Sequence, residues 1–297
     1  MTPANLFHES AVSFACGDET LQGVLATPPT GAAQRTVGVL IVVGGPQVRV
    51  GSHRQFVALA RRLAAQGYAS LRFDVRGMGD STGGPRSFED LQDDIAAGIE
   101  TLLATPHVER VALWGLCDAA SASLLYMDAT GDTRVAGVAL LNPWVRSAQS
   151  LAQTHVKHYY RQRLLQGAFW RKLLQGGVGL QALRDLATSL ARLRRPPPAA
   201  QRTFQQRMAS GWLQCGPRLL VLLSDTDWTA REFEEQFNTG ADWVRARQHK
   251  NVAWHGIADA DHTLSGAAAR TAAEDLTLAW LREMDDCPPS AAGLCTT

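Results

Sequence analysis

The residues with the most chemistry in them lie at WGLCDA, residues 114–119, where a thiol falls between an apolar run and a helical pattern. Gly115-x-Cys117-x-Ala119 matches the nucleophile-elbow frame G-x-S-x-G, with Cys for Ser and Ala for the last Gly. Small residues are needed there because the nucleophile sits on a sharp turn pressed between a strand and a helix. The helix start favours a thiolate, and Asp118 partly opposes that effect. Alone, the frame also fits a buried structural cysteine. The downstream order separates the two readings. LLVLLSDTD sets Asp225 and Asp227 just past a buried run, and ADADHT sets His262 in a loop after a later one. Nucleophile, acid and base in that order form an acyl-transfer triad on a strand–turn–helix scaffold. Asp227, three residues after the small Ser224, is the preferred acid, while Asp225 lies nearer the strand and would shape the turn. His262 is preferred to His255, which lies at the end of a strand.

In that arrangement His262 takes the proton of Cys117, and Asp227 fixes the imidazole and stabilises its charged form. The oxyanion needs backbone donors. One is the N–H of Asp118, directly after the nucleophile. The second should come from the loop Gly44-Gly45-Pro46-Gln47, where proline has no N–H, so Gly45 or Gln47 must supply it. Arg49, Ser52 and His53 flank this loop and read as substrate contacts or, more simply, as capping and packing residues. The turn DVRGMGDS lacks the third glycine of a dinucleotide fingerprint, and no helix opens directly after it. No phosphate loop or zinc spacing occurs, so neither a metal nor a nucleotide cofactor is expected.

The elements that must hold these residues alternate along the chain. Apolar, β-rich runs at 37–43, 68–74, 110–114, 135–141, 218–223 and near 251–255 read as buried strands. Helical periodicity lies between them: from Ser52, with Gln55 at capping-box spacing; from Ser87, with Asp90 likewise; from Cys117 to about Ala129; from about Thr229; and from about Ser265 to Met284. This is the rhythm of a parallel sheet. It breaks after Pro143, where some seventy residues carry helical patterns over 151–165, 169–174 and 180–193. Residues 285–297 read as a disordered tail.

The chain has 297 residues, 45% hydrophobic and 19% charged, with a net charge of +1, which excludes wholesale disorder, a coiled coil and a uniformly basic nucleic-acid binder. That near-neutral total conceals an asymmetry. Residues 145–212 hold twelve basic residues against Asp185 alone, a net +11, and the remainder carries −10. The basic stretch is either a solvated face paired with the body's carboxylates or a surface for an anionic partner: a phosphate-bearing substrate, an acyl carrier, an acidic glycan or a membrane surface. No apolar run approaches the roughly 20 residues of a membrane span. The start MTPANLFHESAV has no export signal, and five irregularly spaced cysteines fit reduced thiols, so a cytoplasmic protein is expected.

These features together predict an α/β-hydrolase fold. Its core is 1–144 with 213–284, mostly parallel sheet flanked by helices, and a basic helical cap is inserted at 145–212. The stretches VVGGPQVRVGSHRQFVALAR, LRFDVRGMGDSTG, WGLCDAASA, LLNPWVRS and FWRKLL resemble the exosortase A system-associated hydrolase 1 family over nearly the whole chain. The resemblance implies a cytosolic bacterial α/β hydrolase encoded near exopolysaccharide and exosortase genes, with nucleophile, acid and base on Cys117, Asp227 and His262. A cysteine in the elbow is also similar to dienelactone hydrolases, although an arginine-rich insertion does not suit so small a substrate. The expected activity is hydrolysis of a small-molecule or carrier-bound acyl ester or thioester. Acyl transfer with the same triad stays open, as does a catalytically degenerate module that binds an anionic partner through the cap. Trp144, Tyr159, Tyr160 and Trp170 would line an acyl pocket or pack the lid.

Overall fold

Residues 6–146, 202–215, 218–250 and 252–286 are described in a computed structural model of the chain. The chain divides into two compact units, Met1–Val145 with Phe204–Thr297, and Arg146–Thr203. The helices expected over 151–193, with Tyr159, Tyr160 and Trp170, lie outside the described residues, as does the tail from 287 onward.

The larger unit is built on an eight-stranded sheet in the order β1-β2-β4-β3-β5-β6-β7-β8. Its centre is parallel: β3 (Val37–Val42), β4 (Ser70–Phe73), β5 (Arg110–Leu116), β6 (Val135–Leu141), β7 (Leu219–Ser224) and β8 (Val252–Ile257). Both faces of the central strands are covered, so their sequences are unbroken apolar runs. Successive residues of β5 serve opposite cores, Val111 and Leu113 on one face, Ala112 and Trp114 on the other. Helices α1 (Gln55–Ala65) and α6 (Ala267–Asp286) bury their apolar sides on the second face. Helices α2 (Gln92–Leu103) and α3 (Asp118–Thr130) bury theirs on the first.

Four features differ from the sequence reading. An N-terminal hairpin, β1 (His8–Cys16) and β2 (Glu19–Thr27), adds two antiparallel strands that the apolar runs do not announce. Helix α1 starts at Gln55 and not at Ser52, because His53 and Arg54 take positive φ and turn the chain; Ser52 makes no capping bond. Helix α4 (Phe204–Gln214) groups with the body although its sequence was assigned to the basic insertion. Its Met208 and Trp212 are fully buried, and Trp212 meets Phe233 and Phe237 of α5 (Trp228–Thr239), Trp243, and Trp254 of β8 at centroid distances of 5.0 to 6.5 Å. Helix α6 runs on through Asp285 to Asp286, where a disordered tail was expected to have begun. Among the described residues no helix is long and apolar enough to cross a membrane.

Candidate active site

Cys117 joins β5 directly to α3 at φ 61°, ψ −121°, a backbone conformation that a residue with a side chain holds only at a cost of about 1–3 kcal/mol. Neighbouring strands hold it there. Its N–H donates to the Leu141 carbonyl at the end of β6 (2.9 Å), and its carbonyl accepts the N–H of Trp144 (3.2 Å) and of Ser121 (3.3 Å). The small-residue requirement is literal: a Cβ on Gly115 would sit 2.6 Å from the Ala119 carbonyl carbon. The thiol therefore stands half-exposed at the carboxyl edge of the sheet and the amino end of α3. Of the other cysteines described, Cys16 and Cys215 are buried, and burial pushes both thiols up from the ordinary range.

His262 arrives on the loop between β8 and α6, and its Nδ1 lies 2.7 Å from Asp227 Oδ2. The Cys117 thiol lies near enough to the same ring to act on its charge. The hydrogen bond to Asp227 first, and then the Cys117 thiol, raise the imidazole from 6.5 to about 10 against the opposing effect of burial. The structure thus brings together Cys117, His262 and Asp227. Asp227 is 8% exposed and ends the loop as the N-cap of α5, accepting the N–H of Thr229 and of Ala230 at 3.2 Å each. Burial alone would raise its carboxyl, but the His262 contact and the two cap bonds outweigh it and hold the group below its ordinary value.

Asp225 does different work. Its carboxylate accepts the N–H of Asp259 (3.0 Å) and of Ala260 (3.1 Å), which ties the β7 end to the loop that carries His262. His255 stays within β8, opposite Leu222. Asn142, to which the sequence reading gave no role, joins the three strand ends. Its amide donates to Ser224 Oγ (2.9 Å) and to the His262 carbonyl (3.1 Å), and its Oδ1 accepts the Ser224 N–H (2.8 Å). Its φ of 47° suits asparagine better than most residues, and a polar residue closing the run LLN was the one available signal.

The loop after β3 is clamped from below. The Arg49 N–H donates to Asp74 Oδ1 (2.6 Å), and the Arg49 guanidinium pairs with the fully buried Asp74 and with Asp80. Arg49 therefore packs the loop. The Gln47 N–H turns back weakly to the Gly44 carbonyl at 3.4 Å. The Asp118 carboxylate packs against the loop: a Cβ on Gly44 would collide with its Oδ1, and one on Gly45 would lie 3.4 Å from its Oδ2. Burial raises this carboxyl above its ordinary value, against the opposing effect of the backbone N–H groups around it and of His262.

A cysteine on a strand–turn–helix corner, with an aspartate and a histidine beyond later strands, is the arrangement the sequence motif anticipates. The family described as serine aminopeptidase, S33 (Hydrolase_4) matches residues 36–251. The chain belongs to this family. The S33 match takes in Cys117 and Asp227 and ends before His262, and where the family description speaks of serine, this member's elbow holds Cys117. S33 membership and the sheet make the chain a hydrolase of the α/β class. Over 109 residues this S33 member is 31% identical to the quorum-quenching protein AidA of Acinetobacter baumannii (strain MDR-ZJ06). That stretch is 35% of the chain and 34% of AidA, so the match spans about a third of that relative's length. Among solved structures, an esterase of Pyrococcus furiosus aligns with a TM-score of 0.61 at 17% identity, covering 95% of this chain and 94% of its own. Est1E of Butyrivibrio proteoclasticus, seen with ferulic acid bound, aligns at 0.59 and 16% over 92% and 100%. The dienelactone hydrolase of Anabaena variabilis aligns at 0.58 and 16% over 94% and 98%. At these identities the likeness is one of fold.

Proposed function

We propose that this S33 member hydrolyses an acyl ester or thioester by covalent catalysis at Cys117, with His262 carrying protons and Asp227 orienting the ring. The observation that carries the reading is the His262 imidazole, 2.7 Å from Asp227 and raised by the nearby thiol of a cysteine on a strained turn. His262 takes the proton of Cys117, and the sulfur attacks as thiolate beside the imidazolium. A C–S bond forms at the acyl carbon and the carbonyl electron pair moves to oxygen. Collapse expels the alcohol or thiol, which leaves with the ring's proton. Water then attacks the acyl-cysteine, the ring takes the water's proton, and the carboxylic acid departs as the thiolate is restored. A sugar or amine in place of water turns the same cycle into acyl transfer.

The esterases among the structural neighbours and the ester-cleaving chemistry of the triad support an ester-class substrate. The net +11 over residues 145–212 supports one carried on an anionic group, such as a phosphate-bearing carrier. The resemblance of GGPQ and GLCDAASA to the exosortase-associated hydrolases supports work in the cytoplasm alongside exopolysaccharide synthesis.

An acyl-thioester probe followed by peptide mass spectrometry tests the reading. The acyl group is expected on Cys117, with labelling lost in Cys117→Ala and reduced at least about a hundredfold in His262→Ala. Equal labelling of all five cysteines, or labelling indifferent to His262, overturns it.

A further inference from the structure

The N-terminal strand reaches the loop that follows β3 through a relay of charged side chains. Glu9 of β1 divides its carboxylate between two guanidiniums. Its Oε2 accepts from Arg61 of α1 at 2.6 and 2.9 Å, and its Oε1 accepts from Arg72 of β4 at 2.9 Å. Burial alone would raise the Glu9 carboxyl, but the two guanidiniums outweigh it and hold the group below its ordinary value. Arg72, whose side chain is 7% exposed, donates a further N–H to the Arg49 carbonyl at 3.3 Å. The peptide groups on both sides of Arg49 are thus held from β4, the N–H by Asp74 just past the strand and the carbonyl by Arg72 within it.

The loop depends on such tethers because its internal bonds are local. From Gly44 to Arg54 it is a run of turns, closed by the N–H of Gln47 on the Gly44 carbonyl (3.4 Å), of Gly51 on that of Val48 (2.9 Å) and of Arg54 on that of Gly51 (3.2 Å). These bonds shape each turn but do not fix the run against β5 and its thiol. Arg72 has a long side chain, and one 3.3 Å bond to a neutral carbonyl would hold it poorly. The shorter, charge-assisted bond to Glu9 sets its direction. We propose that Glu9 is a positioning residue of the acyl-transfer site: it holds the Arg72 guanidinium against the Arg49 carbonyl, and so sets where the N–H groups of Gly45 and Gln47 stand relative to Cys117. The proposal rests on the acyl-transfer reading above. Glu9 touches neither substrate nor sulfur, and Arg61, its other partner, ties β1 to α1 without reaching the loop.

The experiment compares two reactions of the same sulfur in the full chain. Acylation by p-nitrophenyl acetate needs the oxyanion donors, whereas alkylation by iodoacetamide passes through no oxyanion. The ratio of the acylation rate to the alkylation rate is measured for wild type, Arg72→Met, Glu9→Gln and Arg61→Met, with the urea midpoint alongside. Arg72→Met removes the bond to the loop, and the ratio is expected to fall about tenfold or more. Glu9→Gln keeps the shape and an acceptor without the charge. A fall of about threefold is expected there, which keeps the test intact if Arg72→Met folds poorly. Arg61→Met is the control: it lowers the midpoint by loosening β1 from α1, while the ratio stays within about twofold of wild type. A lower midpoint with an unchanged ratio in Arg72→Met and Glu9→Gln, with wild type acylated at Cys117, overturns the positioning role and leaves the hydrolase reading standing. An equal fall in all three variants, or a fall in Arg72→Met alone, does the same. Alkylation of Cys117 without acylation in wild type overturns both.

Discussion

The side-chain amide of Asn142 donates to the main-chain carbonyl of His262 at 3.1 Å, so the residue that closes β6 also positions the histidine loop. The same side chain bridges to Ser224 at the end of β7 by two further bonds. All of this is buried, with Asn142 and Ser224 no more than 1% exposed.

Replacing Asn142 by alanine should therefore act on rate as well as stability. The buried Ser224 N–H loses its acceptor, costing about 1–3 kcal/mol in urea denaturation. The His262 loop loses its tether, and a displacement on the order of 1 Å should lower kcat about a hundredfold. KM should hold, because Asn142 is not placed to touch the substrate. A kcat within twofold of wild type would show that the loop is positioned by other bonds.

Asp227→Asn separates catalysis from folding, since asparagine caps a helix as well as aspartate does. The thiol stays on its turn while the ring loses its carboxylate, and kcat should fall at least about a hundredfold. The linkage has a definite sign. His262 is raised from 6.5 to about 10 in the fold, so its stabilising contribution is complete below pH 6.5 and is lost as pH rises towards 10. Asp227 is lowered, so its contribution is lost only as the pH falls through its depressed value. The difference in Tm between wild type and Asp227→Asn should therefore be largest between the ordinary carboxylate value of 3.8 and pH 6.5 and shrink on both sides of that window. A difference that stays flat between pH 6.5 and 10 would contradict the ring's shift.

Arg49→Met removes the cation that faces Asp74, whose side chain has no exposed surface. An uncompensated buried carboxylate should cost about 3–5 kcal/mol. The loop carrying Gly45 should loosen as well, which would lower acylation by any ester. Asp80→Ala is the control: Asp80, at 70% exposed, pairs with the same guanidinium, and its loss should cost less than about 1 kcal/mol. Equal losses in the two variants would mean that Arg49 stabilises through Asp80 and not through the buried partner.

The parallel strands were legible because burial on both faces leaves a continuous apolar run that needs no partner to be recognised. The elbow was legible for a similar reason: Gly115 and Ala119 are small because the turn allows nothing else, and that constraint is written in residue types. The N-terminal hairpin was not seen, since β1 exposes most of alternate positions and offers no apolar run, although Gly17-Asp18 between Cys16 and Glu19 is a two-residue hairpin signal. Helix α4 falls in the strand-free stretch that reads as the insertion, because helical periodicity and charge along the chain do not show which body a helix packs on. Arg207 adds to the basic tally yet lies 3.5 Å from Asp128 of the body, and Trp212 on the same helix is fully buried. The choice of Asp227 over Asp225 rested on a spacing, and the geometry that separates them is a single hydrogen bond. That the Asp118 side chain lies against the Gly44-Gly45 loop could not be read, because the direction of a side chain is a rotamer and a rotamer has no signature in residue order.

The bonds on either side of Cys117 also decide when the thiol becomes dangerous to its surroundings. Its turn is held by Leu141 and Trp144, residues that reach it only after β6 has docked beside β5. A nascent chain lacking that neighbour has nothing to maintain the strained geometry, and the sulfur would there be an ordinary surface thiol. On the proposed chemistry, reactivity is thus acquired late, once the sheet has closed around the sulfur, and a half-made polypeptide emerging from the ribosome is spared its own warhead.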